Sequence, residues 1–422
     1  MSKASRMPRW PLLAALAVTL ASGATLLAAN PGTPKPAPPK PDPATTAVAG
    51  PTIDPELLTF VRAAKLSQGR GDPLLRCLGF PDWPGNAWPA GLPEAHCHFL
   101  FDPVPSLAEV AAALTTGDLA GIDARYLALL EGHFDATAPS ESIHTAFARF
   151  DASADAGTVS TQWLELAPDS AFARAARASH LLARAQPAPD AEEPPPGSAE
   201  RAATDALVEG AAELYRQALV IEPRLLPAHA ELARIALDRG DDTGADAILA
   251  GAEPLDPACL DLARVRLSRL SPRHGGTLEA MQAHIDALRA AHPGRVLLAL
   301  AAADEAIERG RAMLKHERFG AAQLELRPAL QGSTSPAAFE EAAMAAVRAP
   351  SPDHHAALAM LVASARFRPG RTGVRDLRAR LLINAGERAW AMTILNDAGE
   401  ATAVAPLLAQ SGAARNDERI AR

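Results

Sequence analysis

The chain contains three cysteines, whose chemistry depends on the compartment in which the protein folds. Cys77 and Cys97 lie in one segment that is rich in proline and tryptophan. In an oxidising compartment their thiols could close a ring of about twenty-one residues, and such a cross-link stabilises a fold by roughly 3 kcal/mol. We therefore predict a disulfide between Cys77 and Cys97. Cys259 is then unpaired, and we interpret it as a small buried side chain rather than a reactive thiol.

Two histidines, His96 and His98, flank Cys97 and supply ligand types that zinc prefers. Their spacing does not favour a metal site, because neighbouring side chains of an extended segment point apart and the disulfide would consume the thiol. His354 and His355 are also adjacent, and neighbours on a helix diverge by about 100°. The sequence therefore predicts no metal site and no cofactor.

Motifs that usually identify an enzyme are missing from the sequence. It contains no nucleophile elbow, zinc-binding helix motif, phosphate-binding loop or dinucleotide-binding fingerprint. An enzyme would have to use residues 77–101 or residues 272–276, with His96, His98 and His274 meeting acidic groups in one cleft. We predict that the protein is not an enzyme, and such a convergence would contradict that prediction.

The amino-terminal residues 1–30 have the charge and hydropathy of a targeting segment. Lys3, Arg6 and Arg9 precede an uncharged apolar run at residues 11–29. A helix of about nineteen residues, rising 1.5 Å per residue, just spans a hydrocarbon core of roughly 30 Å. We expect a signal peptide or a single transmembrane anchor that leaves the rest of the chain in the periplasm. The protein is then tethered to the inner membrane or, if the segment is cleaved, released from it.

Composition divides the rest of the chain. Residues 31–51 are rich in proline and predict a semi-rigid linker, and residues 52–157 predict a helical region with a loop rich in cysteine, tryptophan and proline. A second proline-rich stretch at 186–198 predicts a surface insertion, which costs little closure entropy. The formal net charge of −8 has no long block of one sign, so a nucleic-acid partner is not indicated.

The strongest pattern is a set of four positions that returns after thirty-four residues. The two sets are Ala211, Tyr215, Ala218 and Pro223, then Ala245, Leu249, Ala252 and Pro257. Thirty-four residues is the tetratricopeptide (TPR) period, in which small residues let two helices pack closely and a bulky residue fills the gap between them. Proline then ends the second helix, and a glycine such as Gly240 suits the turn within the pair.

Further sets begin at Met281, Ala322, Ala357 and Ala391, so that the intervals are 34, 36, 41, 35 and 34 residues. Six sets in phase predict an all-α, TPR-like helical-repeat solenoid over residues 158–400. Residues 401–422 are expected to form a capping helix and a frayed tail.

Two stretches resemble an uncharacterised bacterial family, a domain of unknown function with TPR-like organisation. Residues 270–277, with Met281, are similar to that family's Pro-Arg-Trp-Gly-Gly-Ser segment and its following methionine. Residues 117–150, with Glu141 and Phe147, are similar to its amino-terminal helical part, so the resemblance covers about residues 114–293. His274 stands where the family usually has tryptophan. The resemblance implies a helical-repeat fold and carries no known activity.

Arginine recurs at one position of the repeat. When Ala211, Ala245, Ala322 and Ala391 are numbered twenty, three of the four ninth positions hold arginine: Arg234, Arg311 and Arg380. A row of guanidinium groups on the inner face would bind carboxylates of an acidic or carboxy-terminal peptide. We therefore predict a scaffold that binds protein partners. The alternatives are an envelope enzyme with a site at residues 77–101 or 272–276, and a purely structural envelope protein.

Overall fold

The computed structural model describes residues 54–137, 139–186, 194–369 and 372–396. The predicted anchor and linker, most of the insertion and the predicted capping helix therefore lie outside the described residues. Within those ranges the chain is helical, contains no β-strand, and has no helix long and apolar enough to cross a membrane. The fold is all-α.

The α-helices follow one another in this order: α1 (Pro55–Gln68), α2 (Pro73–Leu78), α3 (Leu92–Phe101), α4 (Leu107–Thr116), α5 (Leu119–His133), α6 (Ser142–Phe147), α7 (Ala154–Leu166), α8 (Ala171–Ala185), α9 (Ala199–Ile221), α10 (Leu226–Asp238), α11 (Asp242–Ala252), α12 (Leu260–Leu270), α13 (Leu278–Ala291), α14 (Leu298–Ala302), α15 (Asp304–Lys315), α16 (Phe319–Gly332), α17 (Pro336–Arg348), α18 (His354–Phe367), α19 (Thr372–Asn384) and α20 (Arg388–Asn396).

Each of the six repeated sets falls on the second helix of a packed pair. The pairs are α8 with α9, α10 with α11, α12 with α13, α15 with α16, α17 with α18, and α19 with α20. The first two positions of every set are at most 2 % exposed, so they face the helix contacts as the TPR pattern requires. The short helix α14 lies between the third and fourth pairs and accounts for the long interval of 41 residues. The predicted TPR-like helical-repeat fold is confirmed.

Four turns that directly follow an α-helix share one hydrogen-bond geometry. In each turn an amide donates to the carbonyl five residues earlier, beside a residue with left-handed backbone angles. The four bonds are Asp118 N to Ala113 O, Asp241 N to Ala236 O, Arg318 N to Met313 O, and Glu387 N to Leu382 O. The left-handed residues are Gly117, Gly240, Glu317 and Gly386. Helices α4 and α5 thus form a further hairpin of the same kind, outside the region predicted to repeat.

The region 52–157, predicted as one helical segment, is divided among several cores, of which two are the largest. Its first part, α1 and the following loop, packs against the last helix pairs, with the ring of Trp83 5.5 Å from Phe60 and 5.2 Å from Phe339. Lys65 Nζ lies 2.5 Å from Glu387 Oε2. Helices α4 to α7 instead share a core with α8 to α10, centred on the buried ring of Trp163. The first helix of the described chain therefore packs against its last helices.

The proline-rich segment around Cys77 and Cys97 is more regular than the sequence suggests. The expected irregular loop contains two helices, α2 and α3, joined by residues 79–91. The first residue of α2 is Pro73 and the second of α3 is Pro93, positions where the missing N–H breaks no helical hydrogen bond. Proline here starts helices rather than preventing them.

Candidate functional site

The predicted site residues lie in different environments. Cys77 and Cys97 are joined in a disulfide, and Phe367 of α18 packs against it. In the arginine row, Arg234 pairs with Glu231 on its own helix, and Arg311 Nε lies 2.9 Å from Glu341 Oε1. Two of the three predicted donors therefore already hold carboxylates, whereas Arg380 is exposed and has no ion pair within the described ranges.

The three histidines of the enzyme alternative have separate partners. His96 is buried, stacks on Phe367 and lies 2.8 Å, through Nδ1, from Thr334 Oγ1. His98 contacts Asp102 one turn along its own helix, with the two atoms 2.7 Å apart. His274 lies 3.6 Å from an Asp242 oxygen. The three side chains therefore have three different polar partners.

Residues 272–276 form a tight break between helices. Pro272–His274 is a 3₁₀ turn, and Gly275 follows with φ of 78°, a conformation that glycine adopts without strain. A Cβ on Gly276 would lie 2.0 Å from the carbonyl oxygen of Leu270, so that position excludes any side chain. These glycines serve a close backbone approach.

A buried polar cluster, which the sequence did not reveal, is the most unusual chemical feature of the described chain. It forms where α5 ends at His133, where Glu141 precedes α6, and where Cys259 precedes α12. Arg295, between α13 and α14, reaches the same point. Three separate parts of the repeat array therefore meet through charged groups instead of apolar ones.

Arg295 links two of the buried carboxylates. Its Nη2 lies 2.9 Å from Glu141 Oε1 and 2.8 Å from Asp256 Oδ2. His133 Nε2 is 2.9 Å from the same Asp256 oxygen, and the backbone amide of Leu260 donates to Glu141 Oε2 at 2.9 Å. Burial opposes the ionisation of Asp256, but the contacts with His133 and Arg295 outweigh it and lower the pKa of Asp256 to about 2.

Cys259, His144 and Asp261 form a second chain of contacts in the cluster. Cys259 Sγ lies 3.7 Å from His144 Nε2, and His144 Nδ1 lies 2.6 Å from Asp261 Oδ2. Burial opposes protonation of the imidazole, yet the charge of Asp261 raises the pKa of His144. Burial also raises the pKa of the Cys259 thiol well above its usual value, with a further contribution from the charge of Glu141.

The order thiol, imidazole, carboxylate is also that of a cysteine nucleophile with its base and orienting acid. Here it does not provide a nucleophile, because Cys259 has no exposed surface and its raised pKa keeps the proton on sulfur. A substrate carbonyl has no access to the sulfur. The same three residue types are, however, potential metal ligands. Glu141, His144 and Cys259 are all buried and each offers one donor atom within 4.8 Å of the others.

Short-range sequence patterns could not identify this cluster. Glu141 and His144 are three residues apart on one short helical turn, but Cys259 is more than one hundred residues further along the chain. The prediction of a small buried side chain at Cys259 was right about its burial and missed its polar neighbours. The only hint was Glu141, which lies in a stretch that carries the family resemblance.

A polar surface cavity of about 630 Å³ lies between α7 and α8. Arg177, His180 and Arg184 line it from α8, and Thr158 and Gln162 line it from α7. Neither arginine has a carboxylate partner among the residues that the structure describes. Burial, followed by the charge of Arg184, lowers the pKa of Arg177. The cavity thus combines neutral hydrogen-bonding side chains with two guanidinium groups that no carboxylate of the described residues pairs with.

Gly157 leaves the room that His180 needs at this cavity. A Cβ at Gly157 would lie 2.8 Å from His180 Nε2. The ring is held from the other side by Nδ1, which is 2.6 Å from the carbonyl oxygen of Asp151 and therefore donates to it. Nε2 is left as an acceptor in the neutral ring. The imidazole has a fixed position in the wall of the cavity.

Comparison with known proteins gives similarity of fold at a low level. No protein-family model and no curated protein sequence matches the chain. The crystal structure of the APC/C hetero-tetramer Cut9–Hcn1 has a TM-score of 0.34 and 13% identity, over 80% of this chain and 63% of that chain. The crystal structure of yeast Tom70 has a TM-score of 0.32 and 12% identity, over 86% and 87%. Values this low carry no argument about function.

Proposed function

We propose that the protein is a helical-repeat scaffold that binds a protein or peptide partner, and that an acidic group of the partner binds between α7 and α8. One observation carries this proposal: Arg177 and Arg184 line the same cavity and have no carboxylate partner within the described chain. Stacked helix pairs leave long surfaces for recognition, and their usual role is to bind other proteins. The cavity between α7 and α8 is the site that we propose for this binding.

Guanidinium groups recognise carboxylates through paired, charge-assisted hydrogen bonds. Arg177 is partly buried, so its interaction with an incoming carboxylate is screened less than at a fully exposed site. The repulsion between Arg177 and Arg184 would also be relieved by a bound anion. The hydroxyl of Thr158 donates to its own helix, so Gln162 supplies the neutral amide donors in the cavity. A partner carboxylate would therefore meet both charge and hydrogen-bond donors.

The arginine row predicted from the repeat is a weaker binding surface. A partner carboxylate at Arg234 or Arg311 would have to replace Glu231 or Glu341. The Arg311 pair is exposed and the Arg234 pair is partly exposed, so exchange of either for an equivalent ion pair gives little free energy. The row stays a prediction, and the proposed site for the acidic group is the cavity between α7 and α8.

For location, we propose that residues 1–30 export the chain, so that the helical repeats lie in the periplasm and are tethered to the inner membrane if the segment is retained. The basic residues Lys3, Arg6 and Arg9 before the apolar run support this proposal. The Cys77–Cys97 disulfide also supports it, because such bonds persist in oxidising compartments. Cell fractionation with intact-mass measurement tests it. Recovery in the cytoplasm, with Cys77 and Cys97 reduced, would contradict it.

The partner proposal is tested by panning a display library of random peptides with free carboxy termini against the purified chain. We expect the enriched peptides to carry acidic groups. Binding of one such peptide, measured by fluorescence anisotropy, should weaken at least tenfold in the double variant Arg177→Glu, Arg184→Glu. The matched control is Arg289→Glu, Arg327→Glu, which reverses two exposed arginines elsewhere and should bind normally.

Two results would count against the proposed function. No enrichment of any peptide would contradict partner binding by this face. Enriched peptides that bind equally well to the Arg177→Glu, Arg184→Glu variant would leave a scaffold but remove the cavity as its binding site. A thermal melt of the Arg177→Glu, Arg184→Glu variant checks that its helices remain folded.

A further inference from the structure

We propose that Glu141, His144 and Cys259 form a buried binding site for a divalent metal ion of the zinc class. A carboxylate oxygen, an imidazole nitrogen and a sulfur from these residues all lie within 4.8 Å of one another. All three residues are buried, so the cluster is not an incidental group of surface acids. Zinc binds well to sulfur and nitrogen donors, whereas magnesium and calcium prefer oxygen donors.

The distance between the two strongest donors suits one ion. Bond lengths of about 2.3 Å to sulfur and about 2.05 Å to nitrogen, at a tetrahedral angle, place these atoms about 3.6 Å apart. Cys259 Sγ and His144 Nε2 are 3.7 Å apart. An ion could therefore bind both atoms with little movement of either side chain.

His144 also has the outer contact that is typical of a metal-bound imidazole. Its Nδ1 lies 2.6 Å from Asp261 Oδ2. A carboxylate in this position holds the proton on Nδ1 and leaves the lone pair of Nε2 for a metal. Nε2 is the atom that points at Cys259. The short contact with Asp261 therefore favours the tautomer that coordination through Nε2 requires.

The charge of the cluster also favours a cation. It contains four carboxylates and two guanidinium groups, from Glu141, Glu231, Asp256, Asp261, Arg234 and Arg295. Arg264 also faces Asp261, but Asp304 pairs with Arg264. Two net negative charges remain largely inside the protein, where uncompensated charge is costly. One divalent ion would neutralise them.

Glu141 can take part without losing its present contacts. Its two oxygens accept from Arg295 and from the amide of Leu260. A carboxylate has about four lone-pair positions, so one oxygen can also contact a metal. On metal binding the Cys259 thiol releases its proton to solvent and coordinates as thiolate. The three side chains leave a fourth tetrahedral position for a water molecule.

The test uses the full, untagged chain, purified without reductant, with zinc and cobalt(II) as probes. We expect about one zinc per chain by elemental analysis after dialysis, and a thiolate-to-cobalt charge-transfer band in the absorption spectrum. The chain has three cysteines and two form the disulfide, so Cys259 is the only thiol that can produce this band. The variants Cys259→Ala and His144→Gln should lose the band. The matched control His133→Gln removes an imidazole of the same cluster outside the ligand set and should keep it.

Zinc-edge X-ray absorption of the unaltered protein avoids any dependence on folding of the variants. We expect one sulfur at about 2.3 Å together with nitrogen and oxygen ligands. A wild-type protein that binds less than about 0.1 zinc after dialysis, or a spectrum without sulfur, would overturn the proposal. Persistence of the cobalt band in Cys259→Ala would overturn it as well.

Discussion

Glu317, in the turn between α15 and α16, occupies the left-handed backbone conformation that Gly240 occupies between α10 and α11. Their φ angles are 55° and 72°. The following amides, of Arg318 and Asp241, donate to equivalent carbonyls at 2.9 Å. A residue with a Cβ is strained in this conformation, whereas glycine is not. The two turns therefore have the same backbone structure, but only the turn at Gly240 has the residue type that this backbone favours.

This relationship predicts opposite effects of two substitutions. Glu317→Gly should increase the free energy of unfolding by about 0.5 to 1 kcal/mol, because it removes left-handed strain. Gly240→Ala should decrease it by about 1 kcal/mol, since an added Cβ meets no atom within 4 Å and only the backbone is strained. Urea denaturation measures both values. The control is Gly294→Ala, where an added Cβ also meets no atom within 4 Å but φ is negative, so the free energy of unfolding should change little. A decrease of about 1 kcal/mol in this control would contradict the strain argument.

The close contact between paired helices predicts a second effect. Ala218 and Ala252 are fully buried between helices. Replacement of either by phenylalanine should lower the free energy of unfolding by about 1 to 3 kcal/mol, because a packed interior has no room for the ring. Ala290→Phe, at an exposed position of α13, is the matched control and should stay within about 0.5 kcal/mol. Equal melting temperatures for buried and exposed variants would mean that the helix pairs are wrongly assigned.

The disulfide predicts a third effect. Replacement of Cys77 and Cys97 by serine should lower the free energy of unfolding by about 2 to 4 kcal/mol through the larger freedom of the unfolded chain. Peptide mapping without reduction should recover the two cysteines in one linked pair, with only Cys259 alkylated after denaturation. Recovery of alkylated Cys77 and Cys97 would reject the bond. Cys259→Ala is the control. Added reductant should lower the free energy of unfolding of this variant as much as it does in the unaltered chain, because Cys259 is not part of the disulfide.

The lowered pKa of Asp256 predicts a dependence of stability on acid. The carboxyl titrates at about 2 in the folded chain, against an ordinary value of 3.8. Between these pH values the unfolded chain binds the extra proton, so stability falls as the pH decreases through this window. A shift of nearly two units corresponds to about 2 kcal/mol, fully present above pH 4. Urea denaturation at pH 5 and pH 2.5 should show this loss, and Asp256→Asn should reduce it. An unchanged pH dependence in that variant would contradict the assignment.

The sequence predicted the repeat frame because its evidence is local. Alanine at a close helix contact, a bulky residue one turn later and a proline after the helix are all determined within one pair. The hairpin of α4 and α5 was missed as a repeat, although Gly117 and Asp118 match the turn at Gly240 and Asp241. Its second helix carries Ile122 and Tyr126 where the repeated sets usually have alanine and leucine.

The buried cluster could not be predicted because its chemistry depends on distant parts of the chain. Nothing near Cys259 in sequence indicates that His144 will lie 3.7 Å away. The pairing of Arg234, which the predicted row of arginines did not anticipate, has a different and local cause. The position of Arg234 follows from the repeat, whereas its contact with Glu231 depends on which acids happen to precede it on the same helix.

The packing of α1 and its loop against the last helix pairs has a consequence for the order of folding during synthesis. Trp83 leaves the ribosome before Phe339, its ring partner, by about 256 residues. At about 5 to 20 residues per second, that interval is roughly 10 to 50 s. During this time Phe60 and Trp83 have no final core to enter. The nascent chain therefore presents an unburied aromatic surface until nearly the whole array has been made, and a chaperone that protects it would act on residues 60–83.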